Sequence, residues 1–358
     1  MKLLEPIKLG NKTLKNRLAM APMTRSRANS NGIVGSETVK YYTQRANAGL
    51  IITEAINISE DAIGSPFTPG IYAQEQINAW EEVTTSVHYN GGEIFAQLWH
   101  TGRAGHSLDR NGIAPVAPSP VAIQGQQHFT SKGMQDYEVP RELTLSDIEK
   151  VIRDFRQAAI NAIQAGFDGV EIHAANGYLL HQFLSDNTNH RTDYYGGSIT
   201  NRNRLILEIT RELIGAIGGD KVGIRLSPTN QYNDILTSEP IAQFSQLIDK
   251  LDKMNLAYIH LVGNAQGIEL PAHYPQDIVG TFGTLTDHTL IANGGYDKET
   301  GEAELQRGIA NIIAYGTLFL ANPDLPKRFE LNSGFNELDL SSMYGGTEKG
   351  YTDYPFLD

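Results

Sequence analysis

Eight short apolar runs punctuate this chain, most of them separated by stretches with helical spacing. They are Arg17–Pro22, Leu50–Ala55, Glu93–Leu98, the stretch Gly169–Tyr178, Lys221–Leu226, Ala257–Val262, Thr289–Ala292 and Asn311–Gly316. Each is nearly continuous in apolar character rather than alternating, which marks strands buried on both faces. Between them, Gln74–Tyr89 sets Ile77, Trp80, Val83, Thr84 and Val87 on one helical side. A longer stripe runs through Ile148, Val151, Ile152, Phe155, Ala159, Ala162 and Ile163, with Ser146 and Glu149 reading as its capping box and Gly166 as its stop. Thr200–Ile217, Ile241–Met254, Gly301–Arg307 and the region after Pro323 complete the helices that the pattern predicts.

Strands buried on both faces and alternating with helices describe a parallel sheet covered by helices, so the fold class is α/β. Eight such units predict a closed (β/α)8 TIM barrel spanning residues 1–358 as a single domain. No Gly-x-Gly-x-x-Gly follows the first strand, which argues against an open dinucleotide-binding sheet. Ahead of the barrel, Lys2–Leu14 reads as a hairpin turning at Gly10-Asn11. The main excess length, Thr101–Glu142, is rich in Gly, Pro, Gln and Ser and predicts a lid-like excursion after the third strand. Ser341–Asp358 reads as irregular.

Composition narrows the chemistry. The chain of 358 residues has no cysteine, which removes disulfides, iron–sulfur clusters, thiolate zinc sites and cysteine nucleophiles together. With 29 basic against 41 acidic residues the net charge is −12, which argues against nucleic acid or an anionic membrane as partner. No run reaches the length of a membrane span and no signal-peptide core opens the chain, so a cytoplasmic soluble protein is expected. The oligomeric state, monomer or homo-oligomer, stays open.

In a barrel the C-terminal ends of all strands meet at one face, so the residues after each run form one set. These are Pro22, Met23 and Thr24; Glu54 and Ala55; Gln97, Trp99 and His100; His173 to Tyr178; Arg225; Asn264; Asn293, Gly294 and Gly295; and Gly316 and Thr317. The set contains no Lys for a Schiff base and no carboxylate pair of the glycosidase kind. It also has no metal-ligand grouping. Glycines after the seventh and eighth strands have the position and composition of a barrel phosphate site. His173, Asn176 and Tyr178 crowd three hydrogen-bonding side chains into one turn. Read locally, that is equally a His and an Asn capping a turn beside a packed Tyr.

Several longer motifs decide more. Leu4-Glu5-Pro6-Ile7, Ala21-Pro22-Met23-Thr24-Arg25, Gly49-Leu50-Ile51-Ile52-Thr53-Glu54-Ala55, Gln97-Leu98-Trp99-His100, His173-Ala174-Ala175-Asn176-Gly177-Tyr178-Leu179-Leu180 and Ala321-Asn322-Pro323-Asp324-Leu325 run nearly end to end. With them the chain resembles the old yellow enzyme family of flavin-dependent ene-reductases, near its N-ethylmaleimide and nitrate-ester reductase branch.

The resemblance implies FMN as cofactor and NADPH or NADH as hydride donor. Pro22, Met23, Thr24 and Ala55 would border the isoalloxazine, Gln97 and Arg225 its pyrimidine edge, and Asn293, Gly294, Gly316 and Thr317 the phosphate. His173 and Asn176 would hold the carbonyl or nitro oxygen of an activated alkene, and Tyr178 would supply a proton. Trp99 and Tyr351 would line the substrate pocket. Relatives typically carry Arg where this chain has Thr317, which implies weaker phosphate binding. The rival readings are a flavin-free phosphate-binding barrel lyase or isomerase and a non-catalytic flavin-binding protein.

Overall fold

The computed structural model describes residues 1–263 and 269–357. Asn264 therefore lies outside the described residues. Eight parallel strands close into a barrel: β1 (Leu18–Met20), β2 (Leu50–Asn57), β3 (Ile94–Trp99), β4 (Gly169–Ala174), β5 (Val222–Leu226), β6 (Tyr258–Val262), β7 (Leu290–Asn293) and β8 (Ile312–Tyr315). Each pairs with the next in sequence, and β8 pairs with β1, so no edge is left open. The main helices are α1 (Ser36–Gln44), α2 (Gln74–Tyr89), α3 (Leu145–Gln164), α4 (Arg204–Ile217), α5 (Pro240–Asp252), α6 (Ile278–Phe282), α7 (Lys298–Arg307) and α8 (Leu325–Leu331). No helix among the described residues is long and apolar enough to cross a membrane.

All eight predicted strands form, with small shifts at their ends. The helices differ more. The α3 cap is Thr144, not Ser146: the Thr144 hydroxyl accepts from the Asp147 N–H at 3.2 Å while the Asp147 carboxylate accepts from the Thr144 N–H at 2.8 Å. The expected Thr200–Ile217 helix is broken at Asn203 into Ile199–Arg202 and α4. There Arg202 donates to the Leu184 and Gly197 carbonyls at 2.8 and 2.6 Å, and the Asn203 side chain bonds Gln243 and Gln246 of α5. The helix α1 has no aliphatic stripe; its buried face is Thr38, Tyr41 and Tyr42. The N-terminal hairpin pairs Ile7–Leu9 with Lys12–Leu14, while Lys2–Leu4 forms a 3-10 turn.

Two apolar clusters divide the core. One lies between strands and helices. The other fills the barrel interior with Ala19, Ile52, Phe95, Tyr258, Ile291 and Ile312, and takes Leu9 and Leu14 from the hairpin. Towards the strand C-termini the inward positions become polar: Gln97, Glu171, His173, Arg225 and His260 are all buried. Strict alternation on β2 would carry Ala55 away from Ile52 to the opposite face. A bulge between Ile52 and Ala55 puts Ala55 opposite Gln97 instead. The same bulge sets Glu54 against the loop after β1, where its carboxylate accepts the Arg25 N–H at 3.1 Å.

The excursion after β3 is ordered. Its stem joins Val116–Ala117 to Arg141–Glu142, and Gln127–Thr130 pairs with Gly133–Asp136 as an antiparallel hairpin. Arg103, fully buried at its root, donates to the carbonyls of Asn233 and Asp234 at 2.8 Å each, tying the excursion to the loop after β5.

Candidate active site at the barrel mouth

The turn after β4 is held from three sides. The Asn176 N–H donates to the Ser227 hydroxyl at 2.8 Å, and the Asn176 carbonyl accepts from the Asn233 amide at 2.9 Å. The Gly177 N–H donates to His181 Nδ1 at 3.1 Å. Asn176 has φ +55°, a left-handed conformation that Asn adopts more easily than most residues. Gly177 follows with φ +73°, and a Cβ there would stand 2.4 Å from the Tyr232 carbonyl oxygen. These constraints bring Tyr178 back over His173, ring centroids 5.0 Å apart at 75°. Trp99 stands behind both, 4.7 Å from Tyr178 and 6.3 Å from His173, with its indole N–H donating to Asn57 at 2.7 Å.

Strand register carries the mouth onward. His173 lies opposite Arg225, and Arg225 Nη2 donates to Asn293 Oδ1 at 2.9 Å. Asn293 donates in turn to the Ala314 carbonyl at 2.8 Å. At Gly316 a Cβ would meet only Met23 Sδ, at 3.5 Å, which closes the ring back to Pro22, Met23 and Thr24. These three residues are half-buried, as are Asn176, Tyr178, Asn293, Gly294 and Gly316, whereas Ala55, Gln97, Trp99, His173 and Arg225 are buried beneath them. The site is an open mouth over a polar floor. Thr317 is exposed as the first residue of a short helix, Thr317–Ala321. Gly294 and Asn293 also line a recess of about 330 Å³ with Gly263, Tyr296 and Thr300.

Burial, reinforced by the Arg225 charge, pushes the His173 imidazole well below its ordinary pKa, so it is neutral near pH 7. Burial also pushes the Tyr178 phenol up, helped by the electrostatic influence of the Tyr232, Tyr137 and Tyr344 phenols. Tyr178 therefore keeps its proton throughout the physiological range. Burial lowers Arg225 as well, against the opposing pull of Glu171.

Tyr351 departs from the expectation. Its ring is fully buried, stacked on Tyr41 at 4.1 Å with Arg25 and Arg27 over it at 5.0 and 4.3 Å. It anchors the C-terminal segment, whose Met343 and Gly350 carbonyls accept from Arg25 at 2.9 and 2.6 Å. Tyr344 of the same segment is 65% exposed. A tyrosine-rich tail was visible in the sequence, but which of its rings is buried depends on the Arg25 clamp. His100 also turns inward: it is buried, its Nδ1 accepts from the Gly102 N–H at 3.0 Å, and burial pushes its pKa down to about 3. Tyr137, Tyr232, Glu171 and His260 were not singled out by the sequence; the last two lie inside strands, where a polar residue within an apolar run was the available signal.

Residues 2–335 match the sequence model of the NADH:flavin oxidoreductase / NADH oxidase family. The chain belongs to this family. It is 43% identical to 12-oxophytodienoate reductase 1 of Oryza sativa subsp. japonica over 359 residues, covering 99% of this chain and 93% of that protein. The structure superposes on morphinone reductase with a TM-score of 0.95 at 43% identity, covering 99% of this chain and 96% of that one. On the old yellow enzyme homologue from Zymomonas mobilis the TM-score is 0.96 at 40% identity, with both chains fully covered. These comparisons place the chain among old yellow enzymes without singling out the N-ethylmaleimide and nitrate-ester branch.

As an NADH:flavin oxidoreductase the protein uses FMN and a nicotinamide hydride donor. The mouth carries donors suited to such a cofactor. Arg225 Nε and His173 Nδ1 are buried without a partner among the described residues, as expected for groups completed by a ligand. Gly316 leaves the backbone open on its Cβ side, where only Met23 Sδ stands at 3.5 Å, whereas Gly294 packs on the Gly263 backbone, 3.1 Å from where a Cβ would sit. Among the described residues the one charged side chain lining the recess beside Gly294 is Asp277, which is itself paired with Arg307 at 2.6 Å.

Proposed function

We propose that this protein reduces activated C=C bonds of small α,β-unsaturated carbonyl or nitro compounds, using NADPH or NADH through FMN. FMN, when bound, would supply the hydride relay between the nicotinamide and the β-carbon of the alkene. In this reading Pro22, Met23, Thr24 and Ala55 border the ring system, and Gln97 and Arg225 hold its pyrimidine edge. Asn293, Gly294, Gly316 and Thr317 receive the phosphate.

The observation that carries the reading is the perpendicular stacking of Tyr178 on His173 within one turn that also holds Asn176. His173 and Asn176 each offer a donor to one substrate oxygen. Negative charge grows on that oxygen as the β-carbon is reduced, so donors there favour the transition state over the ground state. Neutral His173 donates through one ring N–H without titrating. Tyr178, kept protonated, gives its proton to the α-carbon, a much stronger base than phenolate once the enolate character develops. The Trp99 ring, 4.7 Å from Tyr178, favours a flat, partly apolar substrate. The names 12-oxophytodienoate reductase and morphinone reductase are consistent with small keto-bearing substrates.

The deciding experiment is optical. Purified protein should be yellow, bleach anaerobically with NADPH and recover its colour when 2-cyclohexenone is added. A colourless protein, or colour that neither NADPH nor NADH bleaches, overturns the proposal.

A further inference from the structure

We propose that Glu171 is a positioning residue of the flavin site, fixing the orientation of the Gln97 amide and setting one negative charge beside the Arg225 guanidinium. The inference rests on the reading of Gln97 and Arg225 as ligands of the pyrimidine edge.

Glu171 points into the barrel from the middle of β4, opposite Gln97 on β3 and Gly223 on β5. Its side chain is fully buried. A carboxylate buried like this costs several kcal/mol unless it is well paired, and an aliphatic residue would fill the same space without that cost. Both oxygens are in fact committed. Oε1 accepts from Gln97 Nε2 at 2.7 Å, and Oε2 accepts from His260 Nδ1 at 2.8 Å.

The first bond decides what Gln97 shows to the mouth. The two ends of an amide are nearly the same shape, so packing alone does not select between them. An ionised carboxylate only accepts, which forces the Gln97 nitrogen towards Glu171 and turns its oxygen away. A pyrimidine edge presents an N–H between two carbonyls. The Gln97 oxygen and its second amide proton match such an N–H and carbonyl in this orientation only.

The second bond sets the charge. His260 is held neutral by burial against the pull of Glu171, and its Nε2 has no partner among the described residues. Burial disfavours ionised Glu171, but the hydrogen bonds from His260 and Gln97 and the charge of Arg225 outweigh it and hold the carboxyl below its ordinary range. Glu171 and His260 together thus carry one negative charge, and it offsets that of Arg225. The reduced cofactor is more negative than the oxidised one. A compensated Arg225 favours reduction less than a bare one would.

The test uses purified holoenzyme. In Glu171→Gln the shape is nearly kept and the charge is lost. The flavin reduction equilibrium should shift at least tenfold towards the reduced form, about 30 mV more positive for two electrons. In Glu171→Asp the charge stays but the shorter side chain no longer reaches both partners. FMN affinity should then fall at least tenfold, with the potential within threefold of wild type in equilibrium terms. A purely structural Glu171 would lower stability in both variants and move neither readout as described. An unchanged potential in Glu171→Gln, or unchanged FMN affinity in Glu171→Asp, overturns the proposal, so either variant suffices if the other fails to fold. Gln97→Ala separates the two ideas. If FMN affinity survives that substitution, the assignment of Gln97 itself is wrong. If it falls while the Glu171 variants behave as wild type, only the role of Glu171 fails.

Discussion

The Tyr178 phenol stands edge-on to the His173 imidazole, with centroids 5.0 Å apart and planes at 75°. The stacking places a protonated phenol next to a neutral hydrogen-bond donor, and the two groups divide the labour of the proposed reaction. Tyr178→Phe keeps the ring and removes the proton. Reduction of the flavin by NADPH should survive, while the rate of alkene reduction falls by roughly 10²–10⁴, the usual contribution of a positioned general acid. Stopped-flow measurement of the two half-reactions separates them. Equal losses in both would remove Tyr178 from the proton-donor role.

His173 is held well below the ordinary histidine pKa. The folded protein therefore keeps this side chain neutral across pH 6–8, where a free histidine would titrate. The alkene half-reaction should show no inflection from His173 in that range. An inflection near pH 6.5 that disappears in His173→Asn would contradict the neutral assignment.

Thr317 is exposed at the start of its helix, and no cationic side chain lines the recess beside Gly294 among the described residues. Thr317→Arg adds a charge-assisted contact of roughly 1.5–3 kcal/mol to a phosphate held there. FMN should bind about ten- to a hundredfold more tightly, as read by fluorescence titration of apoprotein. Equal affinities would mean that the phosphate lies elsewhere.

Gly177→Ala places a Cβ 2.4 Å from the Tyr232 carbonyl oxygen at a residue with φ +73°. The left-handed backbone alone costs roughly 1–2 kcal/mol, and the clash adds to it by pushing the loop after β5 away from the turn. Denaturant unfolding should show a loss of about 2 kcal/mol or more, with alkene reduction falling further than flavin reduction. Wild-type stability would show that the loop yields freely.

Burial raises Glu54 from 4.5 to about 7, against the stabilising pull of the Arg25 and Ser26 N–H groups and the Arg charges. In this window the folded state keeps a proton that the unfolded chain has released. Folding stability from this group is therefore lost as pH rises from about 4.5 to 7, by up to roughly 3 kcal/mol. Glu54→Gln does not titrate. The stability of the variant relative to wild type should rise by that amount between pH 4.5 and pH 8 in urea unfolding. A difference that does not change with pH would place the carboxylate in a wetter setting.

The barrel was legible in the sequence because its signal is redundant. Eight apolar runs, each long enough to cross a sheet buried on both faces, leave few alternatives to a closed α/β barrel, and small errors at each end cancel. The crowding of His173, Asn176 and Tyr178 was legible too, since six consecutive residues hold all three. Helix caps were less so: Thr144 and Ser146 are both plausible caps by residue type, and only the backbone path selects Thr144.

Tertiary structure alone decided everything that depends on which way a side chain faces. The extra residue in β2 turns Ala55 into the mouth and Glu54 onto the Arg25 loop, because a shift of one in a period of two exchanges the faces. The Arg25 clamp goes with a buried Tyr351, while Tyr344 of the same segment stays exposed. Glu171, Gln97 and His260 lie 74 and 89 residues apart along the chain, and only closure of the barrel brings their hydrogen bonds together. Periodicity reports which positions are buried. It does not report which buried groups meet, and in this protein the polar floor beneath the mouth is made of such meetings.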